Sequence, residues 1–395
     1  MATGKEKGAE YKVHTDAELY IRPKTADKKM RAAQTMLQTV YIFGISGCGK
    51  TSFILDFMGK RRYHYFSAES LTVEDLQISQ TGKQTIVVID DLHTLRTDEL
   101  WEKLQKGIEL LTMRGDVWLI LSGRSRMPAW LLPIYYNRVF TVIDEKDLSM
   151  SDAELDAYFA LWGLTLSQEE IERISRLTYR NGVAARLLAM ELVSGKPLDE
   201  PNIERMRNNY WSYLECHVFE QWDLELQEFL MQLSIVEEFD KRLAEMITGR
   251  NDVERMLSIA EQIGDFLKLK EASGGKNIYT IRLPLRRCMI RRLMREYPQE
   301  RWKRLYYNAG LYYELEDDTP NALKMYEACG EMERIAGLLV SNARKNPACG
   351  HYYEMRKFYL ALHEEKIRES AELMAGMSML HSMLLNPQES ERWYE

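Results

Sequence analysis

The stretch Tyr41-Ile42-Phe43-Gly44-Ile45-Ser46-Gly47-Cys48-Gly49-Lys50-Thr51-Ser52 decides the fold of the first part of this chain. Its residues Gly44–Thr51 match the pattern G-x-x-x-x-G-K-[ST] at every fixed position, an apolar run precedes them and a helical pattern follows. Glycines in such a loop let backbone N–H groups fold around phosphate oxygens, and the following helix presents its positive end to the same anion. This context favours a phosphate-binding loop over a chance match in a low-complexity loop. The predicted loop comprises Gly44, Ile45, Ser46, Gly47, Cys48, Gly49, Lys50, Thr51 and Ser52, in which Lys50 reaches the β- and γ-phosphates and Thr51 holds Mg²⁺.

Two carboxylates end the next informative run, Thr85–Ile89, which is rich in β-branched residues. Such a run predicts a buried parallel strand, and the carboxyl end of that strand is where an open α/β sheet places ligands. Asp90 is then the residue that binds Mg²⁺ through water, and Asp91 can orient or deprotonate the attacking water. A strand followed by aspartate is common in proteins without this role. Here, however, it follows a complete phosphate loop.

A third polar group follows the strand Val117–Leu121. Arg124 stands close to the predicted strand end, where a guanidinium can interact with the charge of a γ-phosphate. The alternative is a solvated loop arginine, and this alternative is stronger for Arg126, which is farther from the strand. Lys50, Asp90, Asp91 and Arg124 are therefore the catalytic candidates, with Thr51 and Asp90 on the metal.

The spacing of strands and helices predicts an α/β domain. Three strands are each followed by a helical pattern and two more strands follow, which gives a parallel sheet built from right-handed crossovers. The predicted strands are Thr39–Phe43, Tyr63–Ser67, Thr85–Ile89, Val117–Leu121 and Arg138–Ile143.

The rest of the chain is predicted to be mostly helical. Two capping boxes open a small lid, in which Gly182 either lets the backbone approach a bound base or is a plain turn between helices. Helices followed by the hairpin pattern Phe266–Leu269 and Ile278–Ile281 indicate a winged helix, and paired short helices with alternating small and aromatic residues indicate helical repeats. The predicted segments are an arm at 1–35, a P-loop nucleotide-binding domain at 36–146, a helical lid at 147–200, a linker helix and winged helix at 201–298, and incomplete TPR-like repeats at 299–395.

Composition favours a globular protein without a membrane span. The 395 residues are 45% hydrophobic and 29% charged, with a net charge of −7. Five scattered cysteines without zinc spacing suit reduced thiols, and no secretory leader or apolar run of membrane length is present, so we expect a cytoplasmic protein. The negative charge argues against coating nucleic acid by electrostatics alone. A basic stripe at Arg287, Arg291 and Arg295 either contacts DNA or is a solvated or interdomain face, and we favour the second reading.

The order of these motifs resembles the MalT-like, LuxR-type branch of the signal-transduction ATPases with numerous domains (STAND), from about residue 20 onward. The resemblance rests on five stretches of the sequence, namely Gly44–Thr51, Val88–His93, Leu121–Arg124, Gly182–Ala185 and Tyr279–Leu285. It implies a P-loop NTPase domain with a parallel sheet, followed by an α-helical lid, a winged-helix domain and the start of a TPR-like α-solenoid. Because no C-terminal helix-turn-helix is visible, the resemblance also implies a fragment of a longer regulator.

The resemblance implies a nucleotide switch more than a motor. In such proteins the ADP-bound form is closed, and an inducer together with ATP opens and oligomerises it. The implied partners are an adenine nucleotide with Mg²⁺, a small-molecule or protein inducer on the C-terminal repeats, further copies of the chain when ATP is bound, and DNA only through the missing module. Carried over by position, the arm Tyr20–Pro23, with Arg22 and Pro23, is similar to the segment that wraps the adenine. Arg124 resembles the sensor arginine.

One departure from the family pattern concerns the closed state. Relatives have a histidine in a His-Pro-Leu stretch that senses the β-phosphate, whereas this chain has Leu283-Pro284-Leu285. Arg282 can substitute only if it faces the nucleotide. Our first hypothesis is therefore an ATP-binding switch with slow hydrolysis in an inducer-controlled transcription regulator. The alternatives are an AAA+-like motor acting on nucleic acid or protein, and an interaction scaffold with a vestigial pocket.

Overall fold

The computed structural model describes residues 19–79, 84–95, 101–137, 140–264, 266–271, 276–345 and 352–395. The chain divides into two compact units. The first unit holds the residues up to Gln221 together with Ser258–Leu267, and the second holds Trp222–Leu257 and Lys268–Glu395. The sequence also predicts a helix start at Thr97 and a turn at 273–275 between the two hairpin strands, and both positions lie outside the described residues.

A five-stranded parallel sheet forms the centre of the first unit, in the order β2-β3-β4-β1-β5. Register pairs Phe43 with Gly123 and Ile89 with Leu121, so the ends of β1, β3 and β4 meet at one edge of the sheet. The strands are β1 (Val40–Phe43), β2 (His64–Ser67), β3 (Thr85–Asp90), β4 (Val117–Gly123) and β5 (Thr141–Ile143). Each strand coincides with a predicted one to within a few residues, and the predicted fold class is confirmed.

Nine α-helices accompany this sheet in the described part of the chain up to Gln221. They are α1 (Lys24–Met36), α2 (Lys50–Met58), α3 (Trp101–Met113), α4 (Leu132–Asn137), α5 (Glu145–Leu148), α6 (Asp152–Leu161), α7 (Gln168–Thr178), α8 (Gly182–Val193) and α9 (Glu200–His217). Both predicted capping boxes are present, with Ser151 and Ser167 each accepting from the backbone N–H three residues later. These caps fix where the lid helices α6 and α7 begin.

The helix α1 was missed by the sequence analysis, which read residues 1–35 as an arm with little periodicity. Ala26, Met30 and Ala33 lie fully buried on its inner face. They belong to the core on one side of the sheet, together with Phe53 and Trp118. Two alanines and one methionine make a narrow apolar stripe, so the helical period is weak in the sequence although the packing is complete.

The winged-helix region has helices and a hairpin where the sequence predicts them; most of it belongs to the second unit, while the end of α12 from Ser258 and the residue Leu267 of β6 belong to the first. Its elements are α10 (Leu224–Leu233), α11 (Lys241–Thr248), α12 (Val253–Ile263), β6 (Leu267–Glu271), β7 (Asn277–Ile281) and α13 (Leu283–Glu296). The strands β6 and β7 pair, and Phe239 adds an antiparallel bridge to Tyr279. Arg286 of α13 donates from Nε to the Ser234 carbonyl at 2.8 Å, whereas Arg287 and the rest of the predicted basic stripe are exposed.

Short helices complete the second unit. They are α14 (Gln299–Leu315), α15 (Thr319–Cys329), α16 (Met332–Lys345), α17 (Arg356–Ala361), α18 (Glu364–Arg368), α19 (Ala371–Met383) and α20 (Pro387–Tyr394). A tyrosine ring lies on a glycine at two helix contacts: a Cβ added to Gly310 would be 2.7 Å from the Tyr326 ring, and one added to Gly376 would be 2.6 Å from the Tyr359 ring. This pairing of glycine with tyrosine lets neighbouring helices approach closely, as the alternation of small and aromatic residues predicts.

None of the described helices combines the length and the apolar character that crossing a membrane requires.

Candidate functional site

The phosphate loop joins β1 to α2 and has the backbone that its glycines allow. Gly47 and Gly49 have φ angles of 80° and 95°, which side chains rarely tolerate. A Cβ on Gly49 would meet no atom within 4 Å, so the loop leaves open space above this residue. By contrast, a Cβ on Gly47 would lie 2.8 Å from Val183 Cγ2 and 3.3 Å from Tyr213 Cε1. The loop therefore has a free inner face and an outer face against the helices α8 and α9.

Lys50 is buried and folds back onto its own loop. Its Nζ donates to the carbonyl oxygens of Gly44 at 2.8 Å and Ile45 at 3.2 Å. Ser46 and the six residues that follow it up to Ser52 line a cavity of about 390 Å³. Gly44 and Ile45 contribute carbonyls to the lysine, and the other predicted loop residues face the cavity.

Asp90 is the centre of a buried hydrogen-bond network at the end of β3. Its Oδ2 accepts from the Thr51 hydroxyl at 2.7 Å and from the Tyr65 hydroxyl at 2.8 Å. Its Oδ1 accepts from the Asp91 N–H at 2.9 Å and from the Ser122 hydroxyl. Two neighbouring strands, the residue after β3 and the helix α2 thus supply donors to one carboxylate that is 1% exposed. The predicted pair of Thr51 and Asp90 is brought together, at the distance of a direct hydrogen bond.

Asp91 lines the cavity, and its own backbone is strained. Its φ and ψ angles are 58° and 42°, the left-handed region, which is uncommon for a residue other than glycine. Partial burial and the charge of Asp90 raise the pKa of Asp91, and the cations Lys50 and Arg124 oppose this shift. A strained carboxylate with a raised pKa beside a cavity is the kind of group that accepts a proton in catalysis.

Arg124 also lines the cavity, from the end of β4. Its Nη1 donates to the carbonyl oxygen of His217, the last residue of α9, at 3.4 Å. The guanidinium is close enough to lower the pKa of His93 and to counter the shift of Asp91. Arg124 thus interacts electrostatically with Asp91 and forms a hydrogen bond with the end of α9.

The arm and the lid supply the remaining walls of the cavity. Gly182 begins α8 and lies against the phosphate loop, where an added Cβ would be 3.6 Å from the Gly47 carbonyl. Asn181 caps this helix through Oδ1, which accepts from the backbone N–H of Val183 and Ala184. Other wall residues are Leu19, Tyr20, Ile21, Pro23, Leu148, Met150, Tyr158, Arg186 and Tyr213.

Arg22, which the sequence predicts at the nucleotide, is not among the residues that line this cavity. Its side chain donates to Asp56 Oδ2 at 2.5 Å and to Asp27 Oδ1 at 3.1 Å. These two carboxylates lie on α2 and α1, so Arg22 ties the arm to the sheet domain. Pro23 does line the cavity, in agreement with its predicted place.

Several residues of the site were missed by sequence reasoning. Tyr65 stands in a predicted strand and Ser122 directly follows one, but neither has a motif that marks it as a donor to Asp90. Tyr158 and Tyr213 reach the cavity from helices far along the chain, so only the folded structure brings them there. His93 was quoted as part of the family stretch without a role, and its place beside Asp91 is the one signal that could have singled it out.

The residues fit a Mg²⁺-bound nucleoside triphosphate on chemical grounds. A hydroxyl and a carboxylate are the oxygen donors that Mg²⁺ takes beside substrate phosphates, and the loop combines an ammonium group with open space over Gly49. Among the described residues, no group of three or more His, Cys, Asp or Glu side chains could hold a metal by itself. Leu283, which stands in place of the family histidine, begins α13 in the second unit and is 42% exposed.

Comparisons with known proteins agree with the motifs. Residues 215–301 match the MalT winged helix domain family. The chain is 25% identical to the HTH-type transcriptional regulator MalT of Vibrio cholerae over 193 residues, which are 46% of this chain and 20% of that protein. It is 24% identical over 187 residues to MalT of Vibrio campbellii, again covering 46% of this chain and 20% of that protein. The chain thus spans about a fifth of the length of the curated relatives it matches.

A solved structure has the same fold over most of this chain. The Walker-type ATPase of Pyrococcus abyssi superimposes with a TM-score of 0.51 at 13% identity, covering 69% of this chain and 99% of that protein. At this identity the likeness concerns the fold alone. Together with the MalT matches, it confirms the predicted resemblance: the chain has a P-loop ATPase fold followed by a MalT-like winged-helix region.

Proposed function

We propose that this MalT-like P-loop protein binds ATP or ADP with Mg²⁺ and acts as a nucleotide-controlled switch with slow hydrolysis. It would be the regulatory part of an inducer-controlled transcription regulator. The observation that carries the proposal is the cavity of about 390 Å³ that Lys50, Thr51, Asp91 and Arg124 all line. Residues of the arm, the sheet edge and the lid enclose this one cavity, so a ligand inside it contacts all three.

Each residue has a chemical role in this proposal. Lys50 exchanges its two loop carbonyls for phosphate oxygens, which are stronger acceptors because they are charged. Thr51 and Asp90 would hold Mg²⁺, and the ion would supply charge neutralisation to the phosphates when it is bound. Asp91 orients and deprotonates the attacking water, and its raised pKa suits a proton acceptor. Arg124 stabilises charge that develops on the γ-phosphate.

The contact of Arg124 with α9 supports a switch. The His217 carbonyl is neutral and its hydrogen bond is long, at 3.4 Å, so a γ-phosphate would compete well for the same guanidinium. Binding of ATP, but not ADP, would then release the end of α9, which leads into the winged-helix region at residue 215. A shift from mostly closed to mostly open needs about 5.5 kcal/mol of differential binding. Inducer binding on the repeats and assembly into oligomers would supply part of it.

The remaining elements of the proposal follow from the family resemblance. The five segments predicted from the sequence stay the proposed domains, and DNA contact would need a module outside this sequence. The helix α12 stands just before the β6–β7 hairpin. It carries Glu254 and Glu261 against Arg255, a poor composition for binding phosphates. We propose a cytoplasmic protein.

Calorimetry and turnover on the purified chain test the proposal. The parent should bind ATP and ADP in the presence of Mg²⁺ and hydrolyse ATP far more slowly than the 1–100 per second that kinase-type phosphoryl transfer reaches. Lys50→Ala should lose binding, whereas Lys60→Ala, an exposed lysine just after α2, should keep it. Asp91→Asn should keep ATP without hydrolysis. Absence of binding by ligand-free, folded parent would refute the proposal, and fast turnover stimulated by DNA would favour the motor.

A further inference from the structure

A buried imidazole next to the acidic pair lacks a hydrogen-bond partner. The Nδ1 atom of His93 is shielded from solvent and makes no hydrogen bond, and the His93 side chain keeps 8% of its surface exposed. Leaving a buried polar atom unpaired destabilises the folded state, because the atom has lost its hydrogen bonds to water. Native proteins keep few such atoms, so this one calls for an explanation.

Local structure aims this imidazole at the carboxylate of Asp91. His93 is the middle residue of a single 3₁₀ turn, Leu92–Thr94, that Asp91 starts in its left-handed conformation. Thr94 holds the turn, since its N–H and its hydroxyl both donate to the Asp91 carbonyl, at 2.8 and 2.9 Å. His93 Nδ1 then lies 3.7 Å from Asp91 Oδ1, just beyond hydrogen-bond distance.

Burial and the neighbouring cations keep this imidazole neutral. Burial, then the cations Arg124 and Lys50, lower the pKa of His93 to about 3, and Asp90 opposes them. A neutral imidazole carries one N–H donor and one acceptor nitrogen. A neutral donor can fix the orientation of Asp91 while leaving it negatively charged. A charged imidazolium would instead favour a tight ion pair that weakens Asp91 as a base.

We propose that His93 is a positioning residue whose Nδ1–H hydrogen-bonds Asp91 Oδ1 in the nucleotide complex and orients that carboxylate toward the attacking water. The inference rests on the proposed function. In the step that it serves, the water oxygen bonds to the γ-phosphorus while the bond from that phosphorus to the β–γ bridging oxygen breaks. ADP leaves with the electron pair of that bond, and the water proton passes to Asp91. Catalytic hydrogen bonds are often long before substrate binds, so a distance of 3.7 Å in the ligand-free protein suits this role.

Three substitutions of the full chain separate this role from packing. His93→Asn places an amide N–H near the position of Nδ1, His93→Gln places it near Nε2, and His93→Leu fills the space without a donor. Single-turnover hydrolysis of γ-labelled ATP gives the rate of the chemical step, and calorimetry with ATP gives the affinity. We expect His93→Gln and His93→Leu to lower the rate by about tenfold or more, the size of effect seen for partners of ligating groups. We expect His93→Asn to stay within about threefold of the parent, with ATP affinity unchanged in all three.

The outcomes are distinct. Rescue by asparagine but not by glutamine supports an Nδ1 donor, because packing would not distinguish the two amides in this way. Equal loss in all three variants, or no loss in His93→Leu, overturns the inference and leaves the proposed function intact. If His93→Leu does not fold, the comparison of asparagine with glutamine still decides. A parent that neither binds nor hydrolyses ATP refutes the proposed function first, and the inference with it.

Discussion

The hydrogen bond from Tyr65 to Asp90 gives a prediction whose size can be worked from the structure. The Tyr65 hydroxyl donates to Asp90 Oδ2 at 2.8 Å. Asp90 accepts three further hydrogen bonds, so it is a fully satisfied carboxylate. A hydrogen bond to a charged group contributes about 1.5–3 kcal/mol, and one between neutral groups about 0.5–1.5 kcal/mol. Tyr65→Phe should therefore lower the free energy of opening of β3 by about 1.5–3 kcal/mol, and by about 1 kcal/mol less in the background of Asp90→Asn.

Native-state hydrogen exchange of the β3 amides in the full chain measures this coupling, because it reports opening of that strand without requiring the whole chain to unfold in one step. The parent, both single variants and the double variant form the cycle. Tyr63→Phe is the matched control, since Tyr63 directly precedes β2, the strand that holds Tyr65, and stands outside the Asp90 network; it should change the free energy by less than about 0.5 kcal/mol. A coupling below about 0.3 kcal/mol would refute the reasoning, because independent sites show no more than that.

Three further predictions concern the glycines and the buried imidazole. Gly310→Ala should destabilise the repeats by about 1–3 kcal/mol, because its Cβ would lie 2.7 Å from a tyrosine ring. Gly337→Ala, whose Cβ would meet no atom within 4 Å, should stabilise them by up to about 1 kcal/mol. Thermal unfolding in which the Tm of both variants moves in the same direction would contradict this. Gly47→Ala should destabilise the first unit more than Gly49→Ala does. Both alanines carry positive φ strain of about 1–2 kcal/mol, but an added Cβ is crowded only at Gly47. Equal losses of unfolding free energy in urea would count against the contact at Gly47. His93 has a pKa of about 3 in the folded protein against 6.5 unfolded, so the unfolded chain binds more protons and stability falls as pH drops below 6.5; at pH 5 this amounts to about 2 kcal/mol. His93→Asn should lose that part of the acid sensitivity, and an unchanged fall in Tm between pH 7 and pH 5 would exclude it.

The phosphate loop and the sheet were predictable because their residue types restrict the local backbone conformation. Gly47 and Gly49 adopt backbone angles that glycine favours, and Lys50 begins the helix that the pattern requires. Asp90 and Asp91 end a strand whose β-branched residues have no competing assignment. For these positions, the residue types that the chemistry needs are also the ones that determine local conformation.

The walls of the site depend on contacts between distant parts of the chain. Tyr213 reaches Gly47 from a helix more than a hundred residues later, and nothing within that helix distinguishes it from other half-buried tyrosines. The resemblance of the arm to a wrapping segment predicts that Arg22 contacts the nucleotide, whereas in the structure its guanidinium pairs with Asp27 and Asp56. The spacing of residues in the sequence does not show whether the flexible side chain of an arginine pairs with a carboxylate of the protein or with a phosphate of a ligand.

The left-handed backbone of Asp91 has a consequence for how this protein would respond to selection. A side chain at this position raises the free energy of the folded state whether or not a ligand is bound. Under the proposed function, Asp91 is needed only while nucleotide is being hydrolysed. Mutagenesis that rewards heat resistance alone would accept glycine or asparagine at this position, because both relax the backbone. Under the proposed function, the selected variants would be more stable proteins that still bind nucleotide but no longer hydrolyse it, because the same residue lowers the stability of the fold and accepts the proton of the attacking water.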